Sequence, residues 1–453
     1  MHDPTTAAMQ NFRSAAAAER GNPRAALVLL YAEPYTSLEP AYLLTTEKQV
    51  IGRDESADIR LQVSAVSRKH AEIFAERGRF WIRDLGSTNG VIVDGQRTDE
   101  AELEQNSELR IGDAIFKFVD TGGGDYSRYR VDGAMAPGSR RLFQSKSPLV
   151  GGFEMDRLSS ALDQISRTPV SVLVLGESGT GKEVAARFLH DQSGRSGDFH
   201  AVNCAALPEN LIESELFGYK RGAFSGADRD KTGIIQAAHR GTLLLDEIGD
   251  MPLLAQAKLL RVLQSREVLP VGATKPEPVD VRIVAATHRD LSRMQKEGRF
   301  RRDLFARLNE FAVYLPPLRD RKEDLFQLVR TFLARQGRTD CAFSFPFMAA
   351  LLHHDWPYNV RELESAIKRA TALSPGQELT ELTLPESVQE AIVDYARGPR
   401  AKPSEGPTAE ELRALLAEAE GNIAEVGRRL GKARMQVHRW LKRYGIDMAD
   451  YRG

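Results

Sequence analysis

One stretch constrains the chain more than any other. An apolar, strand-favouring run, Ser171-Val172-Leu173-Val174-Leu175, leads straight into Gly176-Glu177-Ser178-Gly179-Thr180-Gly181-Lys182-Glu183, and a helical pattern over residues 184–190 follows at once. A glycine-rich turn between strand and helix lets successive backbone N–H groups close around phosphate. The helix N-terminus adds a favourable dipole, and a lysine reaches the outer phosphates. Lys182 is that lysine, and Glu183 stands where a Ser or Thr is usual. About 60 residues on, the apolar run Gly241-Thr242-Leu243-Leu244-Leu245 ends in Asp246 and Glu247. Such a pair is most often an ordinary strand end. Downstream of a phosphate loop it acquires a chemical use: Asp246 as an oxygen ligand for Mg2+, Glu247 as the group that polarises an attacking water. The implied cofactors are ATP and Mg2+.

Around this stretch, strand patterns at residues 170–175, 242–245 and 281–285 alternate with helical ones, which predicts an α/β core on a parallel sheet. A chain of 453 residues has room for about three domains. Ahead of the core, short β-favouring runs at 28–31, 71–74, 80–83, 91–93 and 115–119 are separated by turn residues at the spacing of a β-sandwich. The last block is helical. Gly- and Pro-rich stretches read as linkers. The expected organisation is therefore a disordered arm (1–24), an all-β sandwich (25–120), a linker (121–140), an α/β P-loop domain (141–388) with a helical lid from about 318, a second linker (389–406) and an all-α helix-turn-helix (407–453).

The formal net charge is −1, so any polyanion contact must be local. Such a place exists between Gly421 and Gly445, where Arg428, Arg429, Lys432, Arg434, Arg439, Lys442 and Arg443 face Glu425 alone. The two cysteines, Cys204 and Cys341, lie far apart in no metal-ligand spacing, which fits a reducing cytoplasm. The apolar runs are too short to span a bilayer and the first residues lack a leader pattern, so no membrane association is expected.

The ordered runs GESGTGKE, FHAVNCAAL, ESELFGYKRGAFSGA, GTLLLDEIGDMP, QAKLLRVLQ, DVRIVAATHRDL, FRRDLFARLNEF, LPPLRDRKED and WPYNVREL resemble the AAA+ domain of sigma-54-dependent activators, the bacterial enhancer-binding proteins, over residues 143–388. The resemblance implies an ATPase working as a homo-oligomeric ring, a hexamer in the family. In it, Asn203 would restrain the catalytic Glu247, and Thr287 with His288 would take the sensor position. Arg301 and Arg307 would enter the neighbouring subunit's site, and Arg361 would sense nucleotide from the lid. A guanidinium in such a place stabilises charge on the transferring phosphoryl group. Gly222-Ala223-Phe224-Ser225-Gly226-Ala227 resembles the loop that touches sigma-54. Ser225 replaces the family's Thr, and Tyr219-Lys220 replaces a common His-Glu.

Ile51-Gly52-Arg53, Ser67-Arg68-Lys69-His70 and Gly86-Ser87-Thr88-Asn89-Gly90 together resemble a forkhead-associated (FHA) domain, which binds phosphothreonine peptides. Arg53, Ser67 and Arg68 would meet the phosphate, and Thr88 and Asn89 the peptide backbone. His70 reads as a loop brace and Trp81 as packing. The alternative is a sandwich serving only to oligomerise. The phosphorylated partner would be a protein acted on by a Ser/Thr kinase, the kinase itself, or the chain's own arm at Thr5 and Thr6.

Residues 407–446 resemble the Fis-type helix-turn-helix that closes enhancer-binding proteins. Arg434, Gln436 and Arg439 are candidates for base edges, Lys442 and Arg443 for DNA contact within the basic cluster, and Val437, Trp440 and Leu441 for core. The combined expectation is a sigma-54-dependent activator. It would remodel the closed complex of sigma-54 RNA polymerase holoenzyme from upstream promoter DNA, gated by phosphothreonine recognition. Two alternatives stay open: a DNA-binding regulator that acts without sigma-54 because its Gly222–Ala227 loop is altered, and a phosphopeptide-triggered scaffold with a vestigial ATPase.

Overall fold

The structure is a computed structural model that describes residues 24–141, 147–374, 378–396 and parts of 407–451. Residues up to 396 form one compact unit and the C-terminal residues another.

The first part of the larger unit is a two-sheet sandwich. Its strands are β1 (Ala26–Ala32), β2 (Ala41–Leu43), β3 (Gln49–Gly52), β4 (Ile59–Arg60), β5 (Ala71–Glu76), β6 (Arg79–Asp84), β7 (Val91–Val93), β8 (Gln96–Thr98), β9 (Glu100–Leu103), β10 (Glu108–Ile111) and β11 (Ala114–Val119). One sheet runs β2-β1-β11-β10-β7-β8 and the other β4-β3-β5-β6-β9. In β5 and β6 the buried residues Ala71, Ile73, Phe74 and Ile82 stand among more exposed ones, so these strands keep access to water. Strands β1 and β11 do not, because every residue in both is buried. Their second face is covered by the rest of the chain.

That rest is an α/β core followed by helices. Parallel strands β12 (Val172–Leu175), β13 (Phe199–Asn203), β14 (Thr242–Asp246), β17 (Arg282–Thr287) and β18 (Phe311–Tyr314) form a sheet in the order β13-β14-β17-β12-β18. A two-strand ladder, β15 (Glu267–Val268) with β16 (Glu277–Pro278), stands apart from it. Helices α1 (Phe153–Ser166), α2 (Lys182–Ser193), α3 (Glu209–Phe217), α4 (Leu253–Ser265) and α5 (Arg302–Leu308) accompany the sheet. The middles of its central strands, Leu243–Leu245 in β14 and Ile283–Ala286 in β17, are apolar runs because both faces are buried. A helical lid follows: α6 (Leu325–Arg335), α7 (Phe345–His353), α8 (Asn359–Leu373) and α9 (Glu386–Ala396).

The lid covers the outer face of β1 and β11. A single apolar core runs from Leu27, Leu29 and Phe116 to Phe326, Phe347 and Leu351. Tyr31 stacks on Phe326 with ring centroids 5.8 Å apart, and the Arg110 guanidinium lies 5.0 Å from the centre of the Phe345 ring. Residues 121–140, expected as a linker, contribute a one-turn helix, Gly123–Tyr126, and a strap anchored by the buried side chains of Tyr126, Tyr129, Val131 and Ala136. Tyr126 and Tyr129 pack there with Phe153 of α1 and Val28 of β1.

Charges are buried at the same junction. Lys117 donates to Glu323 (2.5 Å) and Lys322 to Glu108 (2.6 Å). Asp324 accepts from the Gly152 backbone N–H (2.7 Å) and lies 3.5 Å from Arg321. Burial, aided by Glu323, pushes the Asp324 carboxyl up to about 7, while burial pulls the Arg321 guanidinium down. A carboxyl raised on folding favours the folded state below its unfolded pKa. That contribution is lost as pH climbs from about 4 to about 7. Asp324→Asn keeps the acceptor for Gly152 and removes the ionisation. The variant is expected to lose much of the fall in stability across that window, read by denaturant unfolding at each pH.

In the C-terminal unit, α10 (Ala409–Glu418) and α11 (Ile423–Leu430) pack through Leu412, Leu416, Ile423 and Val426 against Val437, Trp440 and Leu441. Arg434, Gln436, Arg439, Lys442 and Arg443 lie outside the described residues.

Candidate functional site

The core strands β12, β14 and β17 end side by side, and three loops converge at their C-terminal edge. After β12 the glycine turn takes left-handed backbone at Gly179 (φ 78°) and Gly181 (φ 108°), where side-chain-bearing residues are strained. Gly179 is also tightly approached: a Cβ there would lie 2.1 Å from the Tyr358 carbonyl oxygen of the lid. Lys182 opens α2 and is buried. Its ammonium donates to the carbonyls of Gly176 (3.0 Å) and Glu177 (3.2 Å) and lies 3.6 Å from Glu247.

Glu247 follows β14 in left-handed backbone, φ 50° and ψ 49°. A non-glycine residue held there is strained, and such strain gathers at functional sites. Its carboxylate accepts from His288 Nδ1 (2.7 Å), the His288 backbone N–H (3.3 Å) and the Thr287 hydroxyl (3.4 Å). Asn203 pairs in register with Asp246 across β13 and β14, and its side chain accepts from the Ala205 N–H (2.9 Å). Among the described contacts it is therefore His288, not Asn203, that holds Glu247. Burial first, then Glu247 alongside, raises the Asp246 carboxyl above the usual range. Two adjacent carboxylates with one nearby ammonium form a hard-oxygen site short of positive charge, which suits a divalent cation shared with phosphates and water. No cluster of three or more His, Cys, Asp or Glu side chains placed to hold a metal is found among the described residues; Mg2+ commonly takes one or two carboxylates and completes its shell with phosphate and water oxygens. Burial and Asp246 push the neighbouring Cys204 thiol up to about 12, which disfavours its thiolate.

The lid closes over the turn. Arg361 Nη1 lies 3.3 Å from the Ser178 hydroxyl, and the Val360 N–H donates to the Gly179 carbonyl (3.1 Å). Two lid residues that sequence reasoning did not single out bind the turn more tightly. Arg319 forms a bidentate pair with Glu177 (2.5 and 2.8 Å), which holds that carboxyl below its ordinary range. Buried Asn359, in left-handed backbone, donates to Glu177 (3.2 Å) and to the Ser178 carbonyl (2.9 Å). Both sit inside recognisable runs, LPPLRDRKED and WPYNVREL, but their partners become visible only once the lid is folded onto the core.

Arg301 is the N-cap of α5 and Arg307 lies in its last turn; both are exposed, and Arg301 pairs with Asp303 at 2.8 Å. Neither touches the glycine turn of its own chain in any described contact. Gly222–Ala227 is a hydrogen-bonded loop closed by Gly222 N–H to the Ala227 carbonyl (2.8 Å). Its tip, Phe224, is 46% exposed, and its ring meets the edge of Tyr219 at 4.9 Å. Lys220 ties the base of the loop to Asp230 and Glu277, both at 3.4 Å.

On the sandwich, the loops after β3, before β5 and before β7 meet. Arg53 N–H donates to the Ser67 carbonyl (3.0 Å), Thr88 N–H to the Ser67 hydroxyl (3.2 Å) and the Asn89 amide to the Ala65 carbonyl (2.7 Å). His70, fully buried, bonds the Ser67 N–H and the Gly90 carbonyl, both at 3.1 Å, so it braces the loops. The side chains of Arg53, Arg68, Thr88 and Asn89 are exposed and that of Ser67 is partly so. The result is an open patch with cationic and hydroxyl donors.

Sequence comparison matches residues 151–314 to the sigma-54 interaction domain, 49–112 to the FHA domain and 319–398 to the AAA+ ATPase lid domain. Transcriptional regulatory protein GlrR of Escherichia coli is 40% identical over 328 residues, covering 69% of this chain and 70% of GlrR. The chain belongs to the sigma-54-dependent transcriptional regulators. Within this family, regulatory protein AtoC of Escherichia coli is 44% identical over 300 residues, which span 63% of this chain and 65% of AtoC. UacR of Escherichia coli, a putative uric acid sigma-54-dependent transcriptional regulator, is 50% identical over 236 residues, spanning 51% of this chain and 40% of UacR. The crystal structure of NtrX from Brucella abortus in complex with ATP superposes with a TM-score of 0.51 at 34% identity, covering 66% of this chain and 70% of NtrX. No helix among the described residues is long and apolar enough to cross a membrane.

Proposed function

We propose that this regulator hydrolyses ATP with Mg2+ in a homo-oligomeric ring and uses that energy to remodel the sigma-54 polymerase closed complex, under control of phosphothreonine binding to its FHA domain. The observation that carries the reading is the convergence of Lys182, Asp246, Glu247, Thr287 and His288 on one turn, with Arg361 and Arg319 closing it from the lid. When bound, ATP with Mg2+ supplies the phosphoryl group and the charge that Asp246 lacks. Backbone N–H groups of residues 176–183 and the Lys182 ammonium would hold the phosphates. Glu247 would orient water and take its proton, and Arg301 and Arg307 would complete a neighbour's site. The Gly222–Ala227 loop would carry the motion to sigma-54, and Arg434, Gln436, Arg439, Lys442 and Arg443 would hold upstream DNA.

The test is promoter opening by purified sigma-54 polymerase with ATP, with and without a phosphothreonine peptide. ATP-dependent opening supports the reading. ATP hydrolysis without opening sinks the sigma-54 part. One observation favours that second outcome: Phe224 rests against Tyr219, itself a departure from the family pattern, so its tip is partly engaged within the loop.

On the FHA side, Arg53→Ala is expected to weaken phosphothreonine-peptide binding by about 10- to 100-fold, the worth of one hydrogen bond to a charged group. Isothermal titration against the phosphorylated and unphosphorylated peptide would show it. Equal affinity of wild type for both peptides would leave oligomerisation as the role of the sandwich.

A further inference from the structure

We infer that Glu108 and Lys117, two side chains of the FHA sandwich, are positioning residues for the nucleotide site. They fix the hinge between core and lid, and the opposite side of that hinge grips the phosphate loop. The inference rests on the nucleotide reading above and adds to it a physical route by which the FHA domain controls the motor.

The hinge is short. Two 3-10 turns, Leu318–Asp320 and Lys322–Asp324, carry the chain from the sheet to α6. Successive residues point to different bodies. Arg319 makes the bidentate pair with Glu177, and Arg321 donates to the Thr180 carbonyl (3.3 Å), so both reach the phosphate loop. Lys322 and Glu323 point to the sandwich and meet Glu108 and Lys117. Leu318 N–H donates to Asn359 Oδ1 (2.7 Å), and the same amide binds Glu177 and Ser178. One seven-residue segment (318 to 324) is thus held on one side by the FHA domain and on the other by the loop that would carry phosphate.

The FHA contacts are not surface ion pairs. Glu108 is 5% exposed and Lys117 2%, and His353 of the lid approaches Glu108 to 3.4 Å. Buried pairs add little net stability, but they fix geometry, since losing one partner strands the other charge out of water. Glu108 and Lys117 are cross-strand partners at the end of the β10–β11 hairpin opposite its turn, and it is the turn, at Gly112, that packs on Ala65 of the peptide-patch loops. A change in them therefore leaves the peptide patch intact while freeing Arg319 and Arg321 from their alignment.

The experiment measures ADP binding to the full-length protein for wild type, Glu108→Gln, Lys117→Gln and the charge swap Lys117→Glu with Glu323→Lys. Each is checked for cooperative unfolding and for phosphothreonine-peptide affinity. Positioning predicts that each Gln variant binds ADP at least 5-fold more weakly, with peptide affinity unchanged, and that the swap recovers to within about 2-fold. Gln variants that fold, bind peptide and bind ADP like wild type overturn the inference alone. Wild type that fails to bind ADP overturns the reading of the site and the inference with it. If the variants do not fold, hydrogen exchange on wild type decides. Slowed exchange on adding ADP at both the hinge and β10–β11 supports positioning; slowing at the hinge alone refutes it.

Discussion

Replacing Glu247 by glutamine is expected to cut ATP turnover by about 10²- to 10⁴-fold, the contribution of a positioned general base. The amide fills the same space and keeps an oxygen for His288 Nδ1, which now holds the carboxylate at 2.7 Å, but it takes no proton from water. Nucleotide affinity should change only a few-fold, because the glycine turn and the Lys182 bonds to the Gly176 and Glu177 carbonyls are kept. Removing the Glu247 charge also removes one of the two main causes that raise the Asp246 carboxyl. Phosphate release and fluorescent-nucleotide binding, measured on the same preparation, separate the two effects. A Glu247→Gln protein that hydrolyses ATP at the wild-type rate would show that the proton acceptor lies elsewhere.

The second large effect concerns Arg307. An arginine supplied across an interface is worth about 10³- to 10⁵-fold in turnover, so Arg307→Ala is expected to be almost inactive. Arg307 is exposed in the last turn of α5, and the proposed function gives it a role in trans. Mixing supplies the decisive measurement. An Arg307→Ala subunit keeps Glu247, and a Glu247→Gln subunit keeps Arg307. In a randomly mixed head-to-tail ring roughly one interface in four pairs a good glutamate with a good arginine, so about a quarter of wild-type turnover should return. No recovery on mixing two inactive proteins would place the arginine in cis or outside the chemistry. The same pair of measurements on Arg301, now engaged with Asp303, would tell which of the two arginines enters the neighbour.

Much of the motor is legible in the sequence, because phosphate chemistry demands a particular order of residues along the chain. The turn at Gly176–Glu183 and the acids after β14 are local features set by strand, turn and helix. His70 as a brace, and Val437, Trp440 and Leu441 as core, followed from the same local patterns and are observed. What the sequence hid was much of the side-chain pairing made across long loop closures. Arg319 and Glu177 are far apart in the chain and meet only when the lid folds back. The hold of His288 on Glu247 depends on β17 lying beside β14. The burial of Lys117 and Glu108 was invisible for another reason: on a strand a charged residue ordinarily marks the solvent face, and nothing in the sandwich pattern announces a second protein layer. The run Ala25-Ala26-Leu27-Val28-Leu29-Leu30-Tyr31-Ala32 did carry a trace of it, since an alternating strand has no need to be apolar at every position.

Strands β1 and β11 are covered on both faces, and this limits what evolution or engineering can do with the chain. A fragment cut just after Val119 would present a greasy plate to water and would tend to clump with its own kind. Conversely, a motor stripped of its first 120 or so residues would uncover Phe326, Phe343 and Phe345. The sensor is thus no interchangeable cartridge. Any other input module spliced onto this ATPase would have to bring a matching apolar plate, studded with one acid and one base in register, before it could be wired to the same hinge.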